Sequence, residues 1–241
     1  MRSDGRGAGE LRPIRLTPDY TENPLASVLC EFGRTRVLCT VCEEATVPRF
    51  LQGAGRGWVT AEYAMLPGAT DTRSQRDSAR GRPSGRSQEI QRLIGRSLRG
   101  VADLAALGER TLWIDCDVLQ ADGGTRCASI TGAYTALALA TRRLLRRGDI
   151  ERDPLRDSVA AVSVGIVGGE IVLDLPYAED STAEVDMNIV ATGRGRFIEV
   201  QGTAEQGSFS PEQLAALTAL ALAGIQRLGE FQRAAIEAAD S

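Results

Sequence analysis

The chain is 241 residues long, 43% hydrophobic and 5% aromatic, with 28 basic residues against 32 acidic ones for a net charge of −4, and no histidine. Every basic residue is an arginine, which excludes Ser-His-Asp and Cys-His nucleophile systems, lysine Schiff bases, histidine zinc sites and a Walker-loop lysine; acid–base chemistry falls to carboxylates, Tyr, Cys or metal-bound water. The length suits one compact unit over residues 1–241, no apolar run approaches the roughly 20 residues of a membrane span, and Met1-Arg2-Ser3-Asp4-Gly5-Arg6 opens no secretory signal, so a cytoplasmic protein without a membrane partner is expected.

Strand patterns come first. Residues 14–17, 26–32 and 36–42 are strand candidates, the last two flanking the turn Gly33-Arg34-Thr35, and residues 58–65 follow. Cys39 and Cys42 form a C-x-x-C, but a strand sends them to opposite faces and no second pair completes a zinc site. All five cysteines (Cys30, Cys39, Cys42, Cys116, Cys127) therefore read as buried, reduced thiols.

Residues 70–87 hold Gly, Ser and Pro83 with almost no apolar side chain, the pattern of a mobile loop. Residues 71–99 carry eight arginines (Arg73, Arg76, Arg80, Arg82, Arg86, Arg92, Arg96, Arg99) against Asp71, Asp77 and Glu89, a local net of +5 that leaves −9 on the rest. One basic segment in an acidic chain suits contact with a phosphate backbone; a solvated loop or a subunit contact is the alternative. A helix over 87–107 follows, its stripe formed by Ile90, Leu93, Ile94, Leu98, Val101 and Leu104, with Ser87 as N-cap. Arg86 then faces the positive end of the helix dipole, which is unfavourable unless an anion lies between them.

A strand over 111–119, the loop Gln120-Ala121-Asp122-Gly123-Gly124-Thr125-Arg126 and a helix over 125–147 come next. Two glycines admit close backbone approach, and the helix start offers unpaired N–H groups beside Thr125 and Arg126, so phosphate fits there. Plain helix capping explains the same residues, and the spacing leaves open whether this helix start meets that of Arg86.

In the second half, strands 159–167 and 170–175 flank Gly168-Gly169, and strands 183–191 and 196–201 turn at Gly193-Arg194-Gly195. Between the pairs lies the acidic stretch 174–188, with Glu184, Asp186 and Asn188 on one strand face. Alone it reads as a half-exposed strand after an acidic turn. Beside a bound phosphate the carboxylates require a divalent cation, which makes Asp180 and Asp186 candidates for Mg²⁺ binding or proton delivery. A last helix begins at the capping box Ser210-Pro211-Glu212-Gln213. Strand pairs with interspersed helices define an α+β class, loosely two halves of strands followed by a helix.

Five stretches, RGWVTAEYAMLPGATDTR (56–73), SGRSQEIQRLIGRSLR (84–99), IDCDVLQADGGTR (114–126), AEDSTAEVDMN (178–188) and IEVQGTAE (198–205), carry a resemblance to bacterial ribonuclease PH along nearly the whole chain. The resemblance implies a fold like the second domain of a small-subunit ribosomal protein, built from duplicated β/α units with helices on mixed sheets. It implies a phosphorolytic tRNA nucleotidyltransferase, a 3′→5′ exoribonuclease in which inorganic phosphate attacks the terminal linkage of a tRNA precursor and releases a nucleoside diphosphate. It also implies phosphate ligands at Arg86, Gly124, Thr125 and Arg126, an acidic, Mg²⁺-associated pair at Asp180 and Asp186, RNA contacts at Arg73 and Arg76, and a homo-hexamer built as a trimer of dimers. The chain departs from the family pattern at Pro176, Arg34-Thr35-Arg36 and Gln206-Gly207-Ser208. The rival expectation is a non-catalytic RNA-binding ring subunit of the exosome-core type, which shares the fold but lacks intact anion and acid sites.

Overall fold

The computed structural model describes Arg2 and residues 4–205 and 207–239, apart from the side chains of Ser78 and Arg80; Met1, Ser3, Gln206, Asp240 and Ser241 lie outside it. Alternating burial makes the first sheet. In β3 (Thr35–Glu44), Val37, Cys39 and Val41 are buried while Arg36 and Cys42 face out. Cys42 thus corrects the expectation of five buried thiols; the other four are buried, and all five are free. With β1 (Ile14–Pro18), β2 (Ala26–Phe32), β4 (Trp58–Met65) and β5 (Thr111–Gln120), the order is β1-β2-β3-β5-β4. Only β4 and β5 run parallel, a pairing that requires a long crossover.

That crossover contains the basic segment and α1 (Gly85–Val101), which packs on β4. The N-cap is Ser84, whose Oγ accepts the N–H of Ser87, so Ser87 lies inside the helix rather than capping it. The helix also ends earlier than its apolar stripe suggests. Ala102 is extended and bridges to Leu155, and the Asp103 carboxylate accepts the N–H groups of Ala105 and Ala106 to start a separate turn, α2 (Leu104–Leu107). A side chain that satisfies the backbone locally competes with helix continuation. The polar segment before α1 is not wholly irregular: a 3₁₀ turn at Asp77–Arg80 is tied to the helix by Ser87 Oγ, which donates to Asp77 at 2.6 Å.

α3 (Thr125–Arg147) follows β5 and lies between the two sheets, against β2 and β3 on one side and β6 (Val159–Val167) on the other. A helix covered all round must be apolar or small on every face. At Gly132 a Cβ would lie 2.7 Å from Cys30 Cβ and 2.8 Å from Cys39 Sγ, so only glycine lets helix and sheet approach this closely. The second sheet, fully antiparallel, has the order β7-β6-β8-β9, with β7 at Glu170–Leu173, β8 at Val185–Thr192 and β9 at Phe197–Ala204. β7 stops two residues before the expected end because Asp174 takes a left-handed backbone, φ 56°. A four-residue helix, α4 (Tyr177–Asp180), was not anticipated.

α5 (Pro211–Ala238) starts on the expected capping box, with Ser210 accepting from Gln213 and Gln213 bonding back. By length and composition it is apolar enough to cross a bilayer, contrary to the expectation from apolar runs. Here Leu217, Ala221, Ile225 and Leu228 bury its inner face in the core. One core cluster runs through both sheets. The α+β class holds, and the start of α3 lies where the two halves meet.

Candidate active site

The loop after β5 is shaped by its carbonyls. Arg12, nearly fully buried, donates to Asp122 O at 2.6 Å, and the Thr35 hydroxyl donates to Gly123 O at 2.7 Å while accepting Asp122 N–H at 2.9 Å. Because a trans peptide sets C=O and N–H on opposite sides, the N–H of Gly124 points away from these anchors. Gly123 and Gly124 both have positive φ, 74° and 68°. A Cβ on Gly123 would lie 2.7 Å from Leu175 O and from Tyr177 N. The first-turn N–H groups of α3 have no intrahelical partners, as at any helix start.

Gly123, Gly124, Thr125, Arg86, Tyr177 and Asp180 line one cleft of about 620 Å³. The structure therefore brings the start of α1 and the start of α3 to a common space, which the spacing in sequence left open. Arg86 sits in the first turn of α1 and is exposed; among the described residues it makes no direct ion pair, though its charge acts on Asp180. A cation at that end of a helix favours an anion in the cleft. Thr125 is buried, and its hydroxyl shares a 2.9 Å hydrogen bond with the Tyr63 hydroxyl. Burial pushes the Tyr63 phenol up, against the Thr125 bond and the charges of Arg86 and Arg126. Tyr63 thus holds Thr125 in place, a role that its position in an alternating strand did not reveal.

Arg126 turns toward α1 and β9, donating to Gln201 Oε1 at 2.5 Å and pairing with Glu89 at 3.4 Å. Gln201 in turn donates to Glu89 and Glu199. The Arg126 charge still reaches the acidic pair, opposing the rise that burial causes in both Asp180 and Asp186.

Asp180 ends α4 and Asp186 lies on β8; together with Glu205 they line an adjoining hollow of about 450 Å³. Burial, then the neighbouring Asp180, pushes the Asp186 carboxyl up to about 6. Burial also raises Asp180, opposed by Arg86 and Arg126. Asp186 Oδ1 is buried without a hydrogen-bond partner among the described residues. An orphaned carboxylate oxygen facing a second carboxyl suits a divalent cation, and Mg²⁺ needs only one or two carboxylates besides water and phosphate oxygens. Among the described residues no group of three or more ligand-type side chains gathers to form an all-protein cage. The pair fits Mg²⁺ of the water-rich, phosphate-bridging kind.

Two expected residues stand apart. Arg76 lines a separate hollow of about 440 Å³ with Glu62, Asp77, Asp115 and Asp117, and it opposes the rise that burial causes in Asp117. Arg73 is exposed and does not line the cleft, although Thr70, Asp71 and Thr72 do.

Two packed sheets enclose a buried helix, α3, whose start opens onto the cleft. Residues 10–142 match the model described as 3′ exoribonuclease family, domain 1, and residues 157–224 match domain 2 of the same family. The chain belongs to this family, that of ribonuclease PH. Solved structures with the same fold include the crystal structure of rice (Oryza sativa) Rrp46, with a TM-score of 0.80 and 21% identity over 98% of this chain and 100% of that one. An Archaeoglobus fulgidus exosome with RNA bound to the active site gives a TM-score of 0.79 and 24% identity, covering 95% and 91%. An archaeal exosome core gives 0.76 and 22%, covering 96% and 91%.

Proposed function

We propose that the chain is a phosphate-dependent 3′→5′ exoribonuclease, a single domain that shortens RNA by phosphorolysis. One observation carries the reading: an exposed arginine, Arg86, and the Gly124–Thr125 helix start open onto the same cleft as Asp180. Arg86 and the first N–H groups of α3 would orient inorganic phosphate in line with the last linkage of the RNA, where one phosphate oxygen attacks phosphorus. The bond to the 3′ oxygen of the preceding nucleotide breaks, a nucleoside diphosphate leaves, and the RNA keeps a 3′ hydroxyl. Asp180 and Asp186 would hold Mg²⁺, which when bound neutralises charge on the phosphoryl oxygens. Whichever of the two acids is not bound to the metal would hold a proton and pass it to the departing oxygen. Arg126 would complete the phosphate shell by leaving Gln201 for the anion. Arg73 and Arg76 would contact RNA farther from the cleft.

The tRNA-precursor substrate rests on the motif resemblance alone, as does a homo-hexameric ring. A second reading has its own support: two of the like folds named above are exosome structures, so an RNA-binding ring subunit of the exosome-core type fits the fold equally. What favours catalysis is that Arg86, Gly124, Thr125 and Asp180 line one cleft, with Asp186 beside Asp180 in the adjoining hollow. Incubating the protein with a 3′-extended tRNA and Mg²⁺, with and without phosphate, separates the readings. Diphosphates released only with phosphate support phosphorolysis; monophosphates without phosphate indicate hydrolysis; tight binding without cleavage supports the ring subunit.

A further inference from the structure

Both halves of the cleft rest on one segment outside it, Arg2 together with residues 4–12. Asp174, buried and in a left-handed backbone, accepts the Arg12 backbone N–H at 2.8 Å, Arg12 Nε at 3.1 Å and Arg12 Nη2 at 2.7 Å. The remaining nitrogen of the same guanidinium reaches Asp122 O at 2.6 Å. Arg2 makes the matching connection to α4: Nη2 pairs with Glu179 at 2.6 Å and donates to Asp174 O at 3.0 Å, and Nη1 donates to Leu173 O at 2.7 Å. Both ion pairs are almost fully enclosed, with side-chain exposures of 3% and 7% for Arg2 and Glu179 and 4% and 1% for Arg12 and Asp174. Arg6 adds a bond to Asp174 O at 3.0 Å.

α4 cannot hold itself. It has four residues, no side-chain cap, and one buried side chain, Glu179, directly before Asp180; a single helical turn is unstable without tertiary anchoring. We propose that arginines of the N-terminal segment position the reacting groups: Arg12 sets the amides of the loop after β5, Arg2 sets the helix that carries Asp180, and Asp174 is their shared anchor. The inference extends the phosphorolytic reading and assigns Arg2 and Arg12 as positioning residues. A planar guanidinium is required at both places, because each must satisfy a carboxylate and a carbonyl at once.

The test compares the full-length chain with Arg2→Gln and Arg12→Gln, using hydrogen exchange by mass spectrometry, Mn²⁺ binding by paramagnetic resonance, and the phosphate dependence of RNA shortening. Arg2→Gln should speed amide exchange in Tyr177–Asp180 roughly tenfold or more, weaken Mn²⁺ binding, and lower kcat with the phosphate KM unchanged. Arg12→Gln should speed exchange in residues 121–126 and raise the phosphate KM roughly tenfold, with Mn²⁺ affinity unchanged. Wild-type exchange in either segment of its variant, or parallel loss of kcat and KM in both variants, overturns the inference. Where a Gln variant does not fold, the Lys variant, which keeps the charge but not the fork, must still show the same segment-specific rise in exchange. Absence of phosphate-dependent shortening in the wild-type protein defeats the functional reading alone, since exchange in the two segments still decides the positioning.

Discussion

The carboxyl pair sets a pH dependence whose sign follows from the direction of its shift. Asp186 is raised to about 6 in the folded chain, against about 3.9 when unfolded, so between these values the native state binds more protons and stability falls as pH rises. The contribution is fully present below about 4 and lost on passing about 6. Metal-free Asp186→Asn should therefore melt higher than wild type at pH 7, by roughly 2–4 °C for each kcal/mol relieved, with the gap closing at pH 4 and shrinking when Mg²⁺ is added. A variant that melts lower at pH 7 would show that the carboxylate is satisfied by other means. Arg86→Ala should remove about 1.5–3 kcal/mol of charged hydrogen bonding, lowering phosphate-dependent kcat/KM roughly ten- to two-hundred-fold. Unchanged phosphate dependence would take Arg86 out of the site. These residues were visible in sequence as types in a pattern. Arg12, Thr35, Tyr63 and Asp174 were not, because an arginine before a strand or an aspartate after one carries no local mark of burial or of positive φ.

Among the elements, the phosphate loop and α4 depend on each other through Gly123. Gly123→Ala would place a Cβ 2.7 Å from backbone atoms on either side of Pro176, whereas Gly168→Ala, also at positive φ, meets nothing within 4 Å. The second change should cost only the left-handed strain, about 1–2 kcal/mol. The first should cost roughly 1–3 kcal/mol more and raise the phosphate KM as well, measured by urea unfolding and kinetics. Equal costs would mean that the loop moves freely against α4. Strand positions and the bounds of α3 were legible because alternation and a Gly-Gly helix start are local signals. The early end of α1 was not: the apolar stripe continues to Leu104 and Leu107, and only the bridge from Ala102 to Leu155 and the Asp103 cap divert the chain.

For the whole molecule, the excess of positive charge in residues 71–99 over an otherwise acidic chain predicts RNA affinity that falls steeply with salt. Arg73→Ala and Arg76→Ala should each reduce the slope of log K against log salt by about 1 without changing sequence preference; an unchanged slope would assign them to a protein contact. Light scattering should give six times the 25.7 kDa chain mass if the ring expectation holds, and a single chain mass would refute it. By itself, the sequence determined the class of fold, the absence of histidine and lysine chemistry, and the residue types available for phosphate and metal, since each depends on composition or short-range periodicity. Only the tertiary structure decided that two helix starts 40 residues apart in sequence face one cleft, and that buried arginines near the N-terminus hold it. Such convergence is set by how the sheets pack around α3, through contacts between segments that no local pattern relates.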